Sequence, residues 1–283
     1  YYLEELFFWA SWNLLEMAPP YRSYTEGLLK PGQVRAQAWS LRTLAQAAYV
    51  APDSHPLKPY FIRRVKNNLA WYNKNFTDNE DTNKLGVLTI GYAITSNDGT
   101  ALAPWQDDFF TWAVGYVWGL GFSDALPLLV WKSKFPVGRM IDPDYCWIFA
   151  SEFVVTVRKN KISERLFENL GEAYQATVGN RTNSKGVRLG DLSCASRDMA
   201  DWLSTKWNDA KPGSVRAVPG EMVGYAYSPE GFPAILQPAL AAAVDANAPG
   251  AAEAWRRFQS RAVLPSYGES PQFAVVPLQP LNK

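Results

Sequence analysis

The chain has 283 residues, enough for one large domain or two small ones and for a sizeable core. Its 28 basic and 27 acidic residues leave a net charge of +1 with no dense Lys/Arg run, which argues against nucleic acid as the main partner. The aromatics stand out, with 12 Trp, 14 Tyr and 14 Phe. A large core accounts for some of them, and a cleft in which flat rings stack on sugar C–H faces would account for more.

The pattern is mostly helical. Residues 2–17 are apolar at helical spacing (Leu3, Leu6, Phe7, Ala10, Leu14) and stop at Pro19-Pro20. The clearest helix runs from Gly32 to Val50, with Val34, Ala38, Leu41, Ala45 and Ala48 as its inner stripe. Residues 56–76 predict another, opened by Ser54 as its cap. Residues 77–103 break the pattern, being rich in Asp, Asn, Thr and Gly, with a β-like piece at Leu85–Ile94. Helices are expected again at 104–121, 123–135, 145–157, 161–178 and 196–207. The segment 145–157 ends in a strand-like Phe-Val-Val-Thr-Val run. A Gly/Pro-rich passage over 212–231 precedes a last pair at 232–246 and 249–261. The tail at 273–277 reads as a short strand or an extended strap. Short Pro/Gly turns make neighbouring helices antiparallel hairpins, and one all-α domain over 1–283 is the economical reading.

Several chemistries are absent from the pattern. There is no Gly-rich phosphate loop, no Gly-x-Ser-x-Gly and no Cys-x-x-Cys, so no cofactor is expected. One histidine, His55, excludes a multi-histidine metal centre. Cys146 and Cys194 match no metal spacing, and the sequence leaves open whether they pair. The longest uncharged apolar stretch, Phe109–Phe122, is too short to span a bilayer. Two Asn-x-Thr sites, at Asn75 and Asn180, are short patterns that also arise by chance.

Three stretches carry candidate chemistry. In "GQVRAQAWSLRTLAQAAY", Arg35, Trp39, Arg42 and Gln46 share the face opposite the apolar stripe. Solvent-facing arginines explain the charge, but an exposed tryptophan between them suits an anionic or polyhydroxylated ligand. In "APWQDDFFTW", Pro104 starts a helix whose first turn holds Asp107 and Asp108, where carboxylates oppose the helix dipole. Trp105, Gln106 and Trp112 beside them suit a sugar ring, which makes the two acids candidate catalysts. Adjacent helical residues point about 100° apart, so a glycosidase pair needs a partner from elsewhere. "IDPDYCWIFASEF" offers Asp142, Asp144 and Glu152, with Tyr145 and Trp147, although Asp-Pro-Asp is also an ordinary turn signal.

Helical hairpins with Trp-rich, acid-bearing helix starts, and the late helix "GFPAILQPALAAAVD", resemble the six-hairpin (α/α) toroid enzymes, which include glycoside hydrolases and polysaccharide lyases. The resemblance is one of pattern over nearly the whole chain. It implies a ring of inner helices whose starts line a cleft, with "PWQDDF" and "DPDYCW" placed there. The length is short for twelve helices, so the toroid is expected to be incomplete. The expected function is a glycoside hydrolase acting on a carbohydrate outside the cytoplasm. Its catalytic set would be drawn from Asp107, Asp108, Asp144, Glu152 and Tyr145, and its binding set from Arg35, Trp39, Arg42, Trp105, Gln106, Trp112 and Trp147. The first alternative is a lyase with Tyr145, Tyr116 or His55 as base and Arg35 or Arg42 neutralising a uronate. The second is a non-catalytic helical scaffold that binds glycan or protein.

Overall fold

The computed structural model describes residues 1–15, 32–161, 165–210, 216–224, 231–264, 268 and 274–279, without the side chains of 13–15 and 207–210. Expectations that fall on Met17, Pro19-Pro20, 162–164, 212–215, 225–230 and Phe273 lie outside the described residues. The fold is mostly helical. Its helices are α1 (Tyr2–Leu15), α2 (Val34–Val50), α3 (Lys58–Tyr72), α4 (Pro104–Gly119), α5 (Ala125–Ile141), α6 (Leu170–Tyr174), α7 (Arg197–Ala210), α8 (Pro233–Asp245) and α9 (Ala251–Gln259). Two residues of β1 (Ala101–Leu102) pair antiparallel with β2 (Val155–Thr156).

Contacts along the helices fix their directions. Arg35, Trp39 and Gln46 of α2 meet Trp105, Phe109 and Tyr116 of α4, so the two helices run parallel at a constant register. Trp105 meets Phe232 just before α8, and Gly115 of α4 meets Ala242 of α8, which makes α8 parallel to α4 as well. Tyr72 at the end of α3 donates to Gln37 near the start of α2 at 2.7 Å, so α3 returns antiparallel to α2. Residue α5 Leu129 lies at α4 Gly115 while Arg139 reaches Asp108, so α5 returns antiparallel to α4. The inner stripe of α2, together with Phe61, Val65, Phe110, Val114 and Leu129, forms the main core. A second core gathers around Phe149, Tyr174, Leu189 and Leu203, where α6, α7 and the two short strands meet.

At Gly115 helices α4 and α8 approach closely. A Cβ placed there would lie 2.6 Å from the Ala242 Cβ, and neither atom can rotate away. Gly115→Ala is therefore expected to destabilise by about 1–3 kcal/mol through overpacking. A lower urea midpoint with an unchanged slope would register it.

The differences from the expected elements have local causes. Residues 85–94 form no strand. Asn83 holds both the N–H and the C=O of Val87, at 3.0 and 2.8 Å, so the backbone needs no ladder partner. Leu85, Val87 and Leu88 bury themselves along the path of this loop. The expected helix over 145–157 is a 3-10 turn at Trp147–Phe149 followed by β2, its β-branched end having found a strand partner. The expected helix over 161–178 shrinks to α6, because Asn169 caps at Leu170 by accepting from Glu172 N, and a π turn at Gln175–Gly179 ends it. Conversely α5 runs through Pro136, where a helix should stop. Lys132 and Arg139 grip α4 on either side of that proline and hold the helix across it. In the tail, Gln237 donates to Val275 O at 2.8 Å and Asp245 accepts from Leu278 N at 2.7 Å, so the segment straps α8 without joining a sheet.

Candidate functional site

The parallel register of α2 and α4 builds one surface from two rows. Positions 35, 39, 42 and 46 on α2 and 105, 109, 112 and 116 on α4 share the same 4-3-4 spacing, so each row holds one face of its helix. Arg35 lies over the Trp105 ring at 5.6 Å, and Arg42 over Trp39 at 4.2 Å and Trp112 at 5.4 Å. Trp39 packs on Phe109 at 5.0 Å, Phe109 on Trp112 at 5.6 Å and Trp112 on Tyr116 at 6.0 Å. Gln46 donates to the Tyr116 hydroxyl at 3.3 Å. At the N-terminal end, Arg35 Nε donates to Gln33 Oε1 at 2.7 Å, and Arg35 N reaches Gln106 Oε1 at 3.5 Å. The ring ladder then continues from Trp105 to Phe232 and on to Phe153, each step 5.6 Å.

This surface is open and cationic. Trp39 remains 51 % exposed. Partial burial holds the Arg42 guanidinium below its ordinary pKa, and the Tyr116 oxygen pulls it back up. Arg42 Nε and Trp105 Nε1 are buried with no hydrogen-bond partner among the described residues. Helix α2 contains no carboxylate, and the two on α4 turn away from the surface.

Those two are Asp107 and Asp108, expected as catalytic acids. At 2 % and 1 % exposure they are closed off from solvent, and the cavity that Asp107 lines holds only about 10 Å³. Asp107 pairs with Lys132 and Asp108 with Arg139, and both cations are fully buried on α5. The network also closes loop ends. Lys132 donates to Gly86 O at 2.7 Å, Leu88 N reaches Asp107 at 3.5 Å, and Arg139 donates to Ala150 O. Burial pushes the Asp108 pKa up to about 7 against the pull of Arg139, and lowers that of Lys132 against the pull of Asp107. These acids clamp α4 to α5.

Three more expected catalysts lie off the α2 and α4 rows, Glu152 next to Phe153 at the far end of the ring ladder. Tyr145 is buried, donates to Phe149 O at 3.3 Å, and has its pKa raised by burial, so it offers no base to solvent. Glu152 pairs with Lys206 at 3.3 Å. Asp144 is exposed and lines a separate cleft with Trp147. His55 packs its ring on Phe7 at 4.8 Å and accepts from Leu57 N, a loop-shaping role.

The expected binding residues fare differently. Arg35, Trp39, Arg42, Trp105, Gln106 and Trp112 all meet on the α2/α4 surface, and only Trp147 lies elsewhere. Phe109, Phe153 and Phe232 were missed. The 4-3-4 spacing in α4 points to Phe109, whereas Phe153 and Phe232 enter from loops that carry no periodic signal. Among the described residues no cluster of three His, Cys, Asp or Glu could hold a metal ion, and no helix is long and apolar enough to cross a membrane. Comparison with protein-family profiles, characterised proteins and solved structures returns no match.

Proposed function

We propose that this protein is a carbohydrate-active protein of the incomplete (α/α) toroid kind, which lays an anionic polysaccharide along α2 and α4 and cleaves it by elimination. The toroid reading is supported by three parallel helices, α2, α4 and α8, with α3 and α5 returning antiparallel beside the first two. Flat rings suit sugar C–H faces, and two guanidiniums suit uronate carboxylates. The face from Arg35 to Gln46 spans about 16 Å, enough for a short run of sugar rings. The observation that carries the reading is that both arginines sit among rings on a surface whose helices present it no carboxylate. Hydrolysis needs an acid and a base flanking the bond, and Asp107 and Asp108 are spent in ion pairs. Elimination needs a base and a neutraliser. Tyr116, held by Gln46, takes the proton next to the uronate carboxylate while Arg42 offsets that carboxylate's charge. A carbon–carbon double bond forms as the glycosidic C–O bond breaks, and the leaving oxygen takes up a proton. The Cys146–Cys194 disulfide favours an oxidising compartment outside the cytoplasm.

The test is a panel of uronate-containing and neutral polysaccharides, followed by near-ultraviolet absorbance of the new double bond. Tyr116→Phe is expected to lose about 100-fold or more in turnover while binding is kept, and Arg42→Ala to weaken binding and turnover together. New reducing ends without absorbance would mean hydrolysis, and binding without turnover would mean a scaffold. Either result sinks elimination. Equal binding of neutral and acidic glycans would sink the role given to the arginines.

A further inference from the structure

The turn that follows α5 lines a cleft of about 600 Å³ that shares no residue with the α2/α4 surface. That volume falls within the usual range of small-molecule sites, about 300–1,000 Å³. Its lining includes Asp142, Asp144, Trp147, Asn169, Gln175 and Arg257, with the Cys146–Cys194 disulfide joining its two sides.

The charges inside do not balance. Arg257 is already engaged, donating to Met140 O at 2.9 Å and to Glu253 at 3.3 Å. Asp142 uses one oxygen on the backbone N–H of Asp144, at 2.9 Å. The Asp144 carboxylate has no hydrogen-bond partner among the described residues. Gly171 leaves it room, since a Cβ there would lie 2.8 Å from the Asp144 Cβ. Asn169 spends its carbonyl capping α6 and Gln175 spends its own on Arg188, at 2.8 Å, so both amide nitrogens remain as donors. The half-buried Trp147 adds a flat apolar wall.

We infer that this cleft is a second ligand site, for a small amino sugar. The ammonium group meets Asp142 and Asp144, ring hydroxyls meet the Asn169 and Gln175 amides, and a ring face stacks on Trp147. A lysine side chain would satisfy the carboxylates but leave the amides and the indole without a counterpart. The inference does not rest on the function proposed for the α2/α4 surface, whose arginines select the opposite charge.

Calorimetric titration tests it, with a glucosamine disaccharide, its N-acetylated form and a lysine tripeptide as probes. Saturable binding of the free amine is expected, about fivefold tighter than the acetylated form at low salt, as an accessible ion pair allows. Asp144→Asn should erase that preference, and Trp147→Ala should weaken both sugars. Arg42→Ala should change neither, which separates failure here from failure at the other surface. Absence of saturable binding, equal affinity for both sugars, or a preference that survives Asp144→Asn overturns the site. Tripeptide binding as tight as the disaccharide overturns its assignment to a sugar. Should Trp147→Ala fail to fold, the exposed Asp144 substitution decides alone.

Discussion

Asp108→Ala is expected to cost about 3–5 kcal/mol, because it leaves the guanidinium of Arg139 buried without its counter-charge. Arg139 is 0 % exposed and cannot shed its proton. Its remaining partners, the carbonyls of Phe135 and Ala150, are dipoles. Arg139→Met is expected to cost less, since Asp108 can neutralise itself by binding a proton. The double change Asp108→Leu with Arg139→Met should recover most of the loss, as apolar replacements of buried pairs do. Urea midpoints of the four proteins check the order. A double variant no more stable than Asp108→Ala would show that the site needs its charges. The pair also sets a pH dependence. With the folded-state pKa of Asp108 raised to about 7, the unfolded chain releases this proton first. Between about pH 4 and 7 the folded state therefore binds more protons than the unfolded state, and this group's contribution to stability falls as pH rises. Asp108→Asn should remove that slope.

Replacing Cys146 and Cys194 together by serine is expected to cost about 4 kcal/mol, in the loop-entropy account of a tie between residues 48 apart. The sector it closes has a core of its own around Phe149 and Tyr174 but little regular secondary structure. Between α5 and α7 the described regular elements are the five-residue α6, one π and two 3-10 turns, and β2 of the two-residue ladder. Such elements are marginal without tertiary support. The loss should therefore be local. Amide exchange in 145–200 should quicken well before that of α2 and α4, and a uniform loss of protection would contradict this picture. Reduction of the parent protein should reproduce the pattern.

The long helices were legible because each carries a sustained apolar stripe, and α2 is the clearest case. What stayed hidden was decided by tertiary partners. Nothing periodic marks Val155–Thr156 as the partner of Ala101–Leu102, and Pro136 argues for a helix end that cations on both sides of it prevent. The α2/α4 surface was half visible. Arg35, Trp39 and Arg42 share a helix face by spacing alone, but the register that brings Trp105 and Trp112 against them is a property of packing. The setting of Asp107 and Asp108 was the part the sequence concealed. Two acids beside tryptophans look like catalysts, and the counter-signal lay 25 and 31 residues on, in Lys132 and Arg139. These two cations stand seven apart on an apolar helix, a spacing that places both on one side of it.

That spacing limits how the molecule can move. Consecutive acids on α4 engage cations two turns apart on α5, so the two contacts meet in only one alignment. A slide of one turn, about 5.4 Å, would carry each acid away from its cation and strand charge in a dry interior. The α4–α5 hairpin must therefore travel as a single piece. Any opening or closing between the α2 and α4 rows has to come from α2 shifting against it.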